Sequence, residues 1–271
     1  MRTLPADLGY AEAADALEAA LRGGLDPEAQ PARTSVGVGE GELLVMPAAV
    51  GRHAAVKLVT VGGEPRVQGV CVVFDAATLA PVGLVDGIAL TTLRTAAVSA
   101  LAVRLLARPD ARRLLVYGRG PQARAHAEAM RAVRPIEHVE VVGREGGGDV
   151  AAADVICCCT TARAPLFDGA LVAGDATVVA IGSHEPGARE TDDALARRAT
   201  VVVESRASAL REAGDVIAAG LGGEDLVTLA ELVRGGAAPA PGRPRLFKST
   251  GMAWEDAVVA GALAQSAERA R

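Results

Sequence analysis

A chain of 271 residues is long enough to bury a substantial core in one large domain or two ordinary ones. Hydrophobic residues at 50% and charged residues at 23% are the balance of a globular protein, and aromatics at 2% leave no stacking platform for single-stranded nucleic acid. The net charge of −5 argues further against a phosphate-backbone partner.

In chain order, residues 10–22 repeat apolar positions at helical spacing and stop at Gly23-Gly24, which predicts an amphipathic helix with a glycine C-cap. Strand candidates follow at 34–38 and 43–46 around the turn Gly39-Glu40-Gly41. A second pair, 53–61 and 67–74, flanks Gly62-Gly63-Glu64-Pro65, and 82–86 closes the set. Short connections make this region mostly antiparallel. Residues 88–107 then read as one long helix, capped by Thr91 or Thr92 and ending at Arg108-Pro109.

Beyond Pro109 the pattern alternates. Strands are expected at 113–117, 138–142, 154–159, 177–181 and 200–203, and helices at 121–133, 191–198 and 226–234. Such alternation predicts a parallel sheet covered on both faces. Gly235 to Pro244 reads as a turn-rich linker and 251–267 as a last helix. Within this half, Leu114 to Ala123 has the form of a dinucleotide-binding turn. Gly118 would allow the tight turn, Gly120 the approach of a pyrophosphate, and Ala123 close helix–strand packing. The helix that follows aims N–H groups and its positive dipole end at the phosphates.

The four cysteines are Cys71 and the run Cys157-Cys158-Cys159. Three in a row inside an apolar segment fit a buried strand rather than a disulfide framework or a zinc site, because adjacent strand residues face opposite ways. No leader is visible, and no apolar run reaches the roughly 18–20 residues that span a bilayer, so the cytoplasm is the expected location, without a membrane partner.

Three cations stand out. Arg33 precedes a strand, Lys57 sits inside the apolar run Ala54 to Val59, and Arg94 opens the long helix. Two readings fit Lys57. It is buried and held by a partner or an anion, or it faces solvent from an edge strand together with Ala55 and Val59. A cation at a helix N-terminus is unfavourable, so Arg94 calls for an anion.

The run Leu84 to Ala100 contains Asp86-Gly87, Leu90-Thr91, Arg94-Thr95-Ala96-Ala97 and Ser99. It resembles the ornithine cyclodeaminase/mu-crystallin family. Further matches in order are Met46-Pro47-Ala48, the lysine strand, Gly118-x-Gly120-x-Gln122-Ala123, Cys159-Thr160-Thr161, Ile181-Gly182-Ser183-His184-x-Pro186 with Arg189-Glu190, and Ser249-Thr250-Gly251 with Ala253 and Asp256. The resemblance implies an α/β fold with a Rossmann-type doubly wound domain over residues 109–247. A mostly antiparallel α+β substrate and dimerisation domain would comprise 1–108 and 248–271. It also implies a homodimer, an NAD(P) cofactor and a small amino-acid or imino-acid substrate. Arg33, Lys57 and Arg94 would hold the substrate carboxylate, with Lys57 also close enough to assist protonation. Cofactor contacts would come from Arg94, Thr95, Gly118, Arg119, Gly120, Pro121, Gln122, Ala123, Arg144, Thr160, Thr161, Gly182, Ser183 and His184.

Departures narrow the activity. Cyclodeaminases carry an aspartate where His184 stands and a substrate-contacting lysine that corresponds to Ala188; Glu185 is the one acidic neighbour. The expected activity is therefore NAD(P)H-dependent reduction of small cyclic imino acids such as pyrroline-2-carboxylate or piperideine-2-carboxylate. An ornithine-type cyclodeaminase and a non-catalytic mu-crystallin-like binding protein are the alternatives. The second parallel strand ends Val142-Gly143-Arg144 without an acid at the ribose position, which favours NADP(H) over NAD(H). Glu145 to Asp149 stands in place of the helix and further strand that family members have next. The adenosine side would thus be unusually open.

Overall fold

The first strand is Thr3–Leu4 (β1), a segment too short to carry periodicity, and α1 follows over Tyr10–Arg22. Next come β2 (Thr34–Val38), β3 (Gly41–Val50), β4 (His53–Val61), β5 (Val67–Asp75), β6 (Pro81–Asp86) and α2 (Gly87–Leu106). The parallel half contains β7 (Arg113–Tyr117), α3 (Pro121–Val133), β8 (His138–Val142), β9 (Val155–Cys158), β10 (Thr177–Ala180), α4 (Asp193–Arg198), β11 (Thr200–Val203), α5 (Arg206–Glu212), α6 (Gly214–Ala218), β12 (Leu226–Thr228), α7 (Leu229–Val233) and β13 (Arg245–Lys248). The chain closes with α8 (Ala253–Arg269). This computed structural model describes residues 2–269.

Two compact units emerge. One comprises the chain up to Val98 and from Met252 onward, the other Ser99–Gly251. The first division falls inside α2 rather than after Arg108, because that helix runs unbroken from Gly87 to Leu106. The second falls after Gly251 rather than after residue 247, because β13 belongs to the parallel sheet. Met1, Ala270 and Arg271, which the expected domain bounds included, lie outside the described residues.

The first unit is built on a six-stranded sheet ordered β1-β6-β5-β4-β3-β2, antiparallel except where β1 joins β6. Along β4 one face is buried, carrying His53, Ala55, Lys57 and Val59, and the other is half-buried, the period-two pattern of a sheet with one covered face. The helix α8 packs against β3 and β4, and α1 packs against α8. The core joins Leu17 and Leu21 of α1 to Met46, Cys71, Val73 and Val85 of the sheet and Trp254, Ala257 and Ala260 of α8.

The second unit holds a seven-stranded, wholly parallel sheet ordered β12-β11-β13-β10-β9-β7-β8. Its central strands β9 and β10 are buried along their whole length and β7 from Leu114 to Tyr117, as strands covered on both faces must be. Cys157 and Cys158 are buried there as free thiols, their pKa raised by desolvation, and Cys159 lies just past the strand. Nothing helical joins β8 to β9, so β8 is a sheet edge.

Four expectations need correction. The long helix starts at Gly87, not at Thr91 or Thr92, and the Asp86 carboxylate caps it by accepting from the Ala89 N–H at 2.8 Å. Arg94 therefore lies two turns inside the helix, and the argument from a cation at a helix start does not apply. The segment 226–234 is β12 followed by α7, because Thr228 and Glu231 form a capping box that begins the helix at Leu229. Finally, α2 is long and apolar enough to cross a membrane, but it is mostly buried and serves as a core helix.

Candidate active site

In the first unit, β4 lies between β3 and β5, so Lys57 is no edge residue. Its side chain is 2% exposed, between Met46 and Cys71 on the neighbouring strands. A buried ammonium must be paired. Its Nζ lies 2.9 Å from both carboxylate oxygens of Asp256 and donates to Thr91 Oγ1 at 3.3 Å. Arg94 is one helical turn beyond Thr91 and shares its face. The Arg94 Nη1 donates to Glu255 Oε2 at 2.6 Å, and its Nε lies 3.3 Å from Asp256 Oδ1. Glu255 and Asp256 stand in the first turn of α8, where the helix dipole favours negative charge.

The result is a buried lattice of two cations and two carboxylates. Desolvation pushes the Lys57 pKa down, and Asp256 opposes it. Desolvation also raises the Cys71 thiol to about 12, so that neighbour stays uncharged. Removing one member of such a lattice strands a buried charge, at a cost of roughly 3–5 kcal/mol. Arg33 is half-buried one residue before β2. Thr34 pairs with Val45, and Met46 pairs with Lys57, so Arg33 stands in line with Lys57 two strand spacings away, about 10 Å. The three expected carboxylate-binding cations thus belong to one unit, with Lys57 and Arg94 sharing Asp256. Thr95 is buried directly after Arg94.

In the second unit, the remaining expected residues gather at the carboxyl ends of β7, β8, β9 and β10, where open parallel sheets bind ligands. Gly118 has φ +112°, and a Cβ there would stand 2.5 Å from the Cys159 carbonyl oxygen. Gly120 is the N-cap of α3, and a Cβ there would meet nothing within 4 Å. No side chain caps α3, and Pro121 occupies its first turn. A small anion therefore has both the space and the helix end it requires. The buried Ala123 holds α3 close to Gly118, as expected of the third fingerprint position. This cradle fits the phosphates of a dinucleotide. Gln122 contributes its carbonyl to His126, and Arg119 pairs with Glu145. Arg144 is exposed after β8.

The β9 and β10 ends are tied by Glu190, which is fully buried and raised in pKa by desolvation despite Lys248. Its Oε1 accepts from the Thr160 N–H at 2.8 Å and hydroxyl at 2.7 Å, and its Oε2 from the Gly182 N–H at 2.7 Å. Thr161 follows on the same turn, exposed. Lys248, fully buried at the end of β13, donates to the Ser183 carbonyl at 2.8 Å and lies 3.1 Å from Asp215 Oδ2. Burial alone would raise the Asp215 carboxyl; Lys248 and bonds from Thr191 and Glu190 outweigh it and hold it low. The loop carrying Gly182, Ser183 and the half-buried His184 is thus anchored from beneath. Ala188 is buried.

Several of these groups are not among the site residues expected from sequence: Thr91, Glu255, Asp256, Glu190, Asp215, Lys248 and Glu145. Lys248 shows the same signal as Lys57, a lysine ending the apolar run Leu246-Phe247. The acids give no such signal, since a carboxylate opening a helix is ordinary on a surface.

A sequence model of the ornithine cyclodeaminase/mu-crystallin family matches residues 6–149 and 145–270. Mouse ketimine reductase mu-crystallin is 35% identical over 262 residues, covering 85% of this chain and 83% of that protein. The Delta(1)-pyrroline-2-carboxylate reductase 2 of Burkholderia ambifaria is 32% identical over 246 residues, covering 80% and 78%. Among solved structures, the Thermococcus litoralis Delta(1)-pyrroline-2-carboxylate reductase, in complex with NADH and L-proline, superposes with a TM-score of 0.90. It is 27% identical and covers 99% of this chain and 98% of that one. With a Rossmann-type parallel sheet, an antiparallel companion and a family match over nearly its whole length, the chain belongs to the ornithine cyclodeaminase/mu-crystallin family.

Proposed function

We propose that this protein is an NAD(P)H-dependent reductase of small cyclic imino acids of the pyrroline-2-carboxylate and piperideine-2-carboxylate type. The observation that carries this reading is the lattice of Lys57 and Arg94 on Glu255 and Asp256. Two cations there meet two carboxylates, and Arg33, in line with Lys57 across the sheet, is the third cation of the same unit. A guanidinium fork and an ammonium suit a substrate carboxylate in a dry pocket. When bound at the glycine turn, a nicotinamide dinucleotide would supply the hydride. Lys57 holds a proton beside the imine nitrogen, and Asp256 keeps that ammonium in place. The rate gain comes from orientation and from fixed charges that favour the iminium form.

The names of the relatives support this reading. Ketimine and pyrroline-2-carboxylate reductases act on carbon–nitrogen double bonds, and the Thermococcus litoralis structure contains NADH. The cofactor is a nicotinamide dinucleotide. NADP(H) over NAD(H) is our finer reading, supported by the exposed Arg144 after β8. The substrate is a small imino acid. The working form is proposed as a homodimer, supported by the edge strand β2 with Val36 and Val38 about half exposed, and its location as the cytoplasm. Ala188, buried and without a polar group, weighs against cyclodeaminase chemistry.

The test is to mix protein, NADPH and Delta(1)-pyrroline-2-carboxylate and follow absorbance of the reduced cofactor. Oxidation of NADPH with formation of proline is expected. Lys57→Ala and Arg94→Ala should each lower kcat/KM by about 100-fold or more, the scale of a lost charged contact. No oxidation with any small ketimine, despite measurable NADPH binding, would sink the proposal.

A further inference from the structure

The loop after β8 places an anion where an incoming phosphate would have to go. Glu145 follows the strand by three residues in sequence, yet its carboxylate folds back onto the strand end. Its Oε1 accepts from the Gly143 N–H at 2.9 Å. The Arg119 guanidinium, at the centre of the glycine turn, donates to both oxygens, Nη1 to Oε2 at 3.2 Å and Nη2 to Oε1. The space is filled: a Cβ on Gly143 would stand 2.6 Å from both Arg119 Nη1 and Glu145 Oε2. Arg144, beside them, is exposed and forms no ion pair among the described residues.

The end of the second parallel strand is where a dinucleotide's adenosine ribose is read. A carboxylate there bonds the 2′-hydroxyl, and a guanidinium there accommodates a 2′-phosphate. This chain has both groups, already joined to each other. We propose that Glu145 is a specificity-determining residue: its carboxylate occupies Arg119 in place of a ribose 2′-phosphate, so NADPH must displace it and NADH need not.

The inference rests on reading the second unit as a nicotinamide-dinucleotide site. Arg119 and Glu145 are 62% and 54% exposed, so their pair adds little to folding and exchanges readily for a stronger anion. Hydrogen bonds from the backbone N–H groups of Glu145 itself and of Gly143, with Arg119 beside them, hold the carboxyl below the usual range. It is charged throughout the neutral range and repels a dianion drawn to Arg144. Glu145 therefore sets how strongly the preference for NADP(H) is expressed.

The experiment measures binding without substrate, by titration of NADPH and NADH fluorescence and by calorimetry with 2′,5′-ADP and 5′-AMP. Glu145→Gln keeps an oxygen for the Gly143 N–H and removes the charge. NADPH and 2′,5′-ADP should bind about tenfold tighter, the effect of one nearby charge, while NADH and 5′-AMP bind equally or more weakly. Glu145→Ala should act in the same direction, and adding Arg119→Met should erase the gain. Equal changes for both cofactors, or no change for 2′,5′-ADP, would overturn the inference. So would a failure of wild type and variants alike to bind either cofactor. Because turnover plays no part, absence of imino-acid reduction would count against the proposed activity alone.

Discussion

His126 is fully buried on α3 and touches two polar partners. The Gln122 carbonyl, 2.8 Å from Nδ1, can only accept, so Nδ1 carries the proton and Nε2 accepts from the Ser99 hydroxyl at 2.9 Å. Desolvation lowers its pKa from 6.5 to about 4, even though the Gln122 bond opposes the shift. Below pH 6.5 the unfolded chain takes up a proton that the folded one refuses. Stability is complete above that pH and falls as the pH drops towards 4, by roughly 3 kcal/mol from this residue. Urea midpoints measured from pH 7 to pH 4 should show the fall, and His126→Gln should flatten it while lowering the midpoint at pH 7. A variant with the same slope as wild type would exclude His126 as its source. Lys57 makes a related point about legibility. Its apolar neighbours mark a strand, but whether that strand is central or an edge depends on pairing, and both of its sequence neighbours, β3 and β5, pair with it. Asp256, its partner, is 199 residues away.

At the scale of elements, the two glycines of the turn before α3 separate fold from the proposed function. Gly118 combines a positive φ with contact to the Cys159 carbonyl oxygen. Gly118→Ala should cost at least about 1–2 kcal/mol for the left-handed conformation, before any clash is added. Gly120 has an ordinary φ of −78° and empty space around it. Gly120→Ala should leave the thermal midpoint unchanged, and its methyl group should still weaken NADPH binding at the α3 terminus. Paired melting and binding titrations check this; a Gly120→Ala protein that binds NADPH as wild type does would remove the phosphate from that turn. The strand–turn–helix sequence here was readable because each part obeys local rules. The start of α2 was not, because Asp86, Thr91 and Thr92 are all competent caps. The choice went to Asp86, whose strand β6 delivers the chain directly into the helix at Gly87.

At the scale of the molecule, the chain builds its first unit, completes a parallel sheet, and returns to the first unit with α8. That return brings Glu255 and Asp256 to Lys57 and Arg94. The exposed valines of β2 lie on an open sheet edge, which invites pairing with another chain. Light scattering of the purified protein should give twice the chain mass. The double variant Val36→Lys, Val38→Lys should shift it towards a single chain with unchanged far-ultraviolet circular dichroism. A wild-type mass of one chain at micromolar concentration would refute the homodimer.

The sequence by itself determined the alternation of strand and helix, the strand–turn–helix at Leu114 to Ala123, the family and the three cations of the first unit. These follow from local periodicity, glycine geometry and motif order, which a linear chain displays directly. Only the tertiary structure decided that Lys57 is buried, that Arg94 lies inside its helix, and that Glu255 and Asp256 answer both charges. It also decided that Glu145 folds back onto Arg119, although the strand end at Gly143-Arg144 carries no acid of its own. The physical reason is the same in each case. Burial and ion pairing are properties of groups brought together from distant positions, and no local pattern encodes which cation a carboxylate will meet.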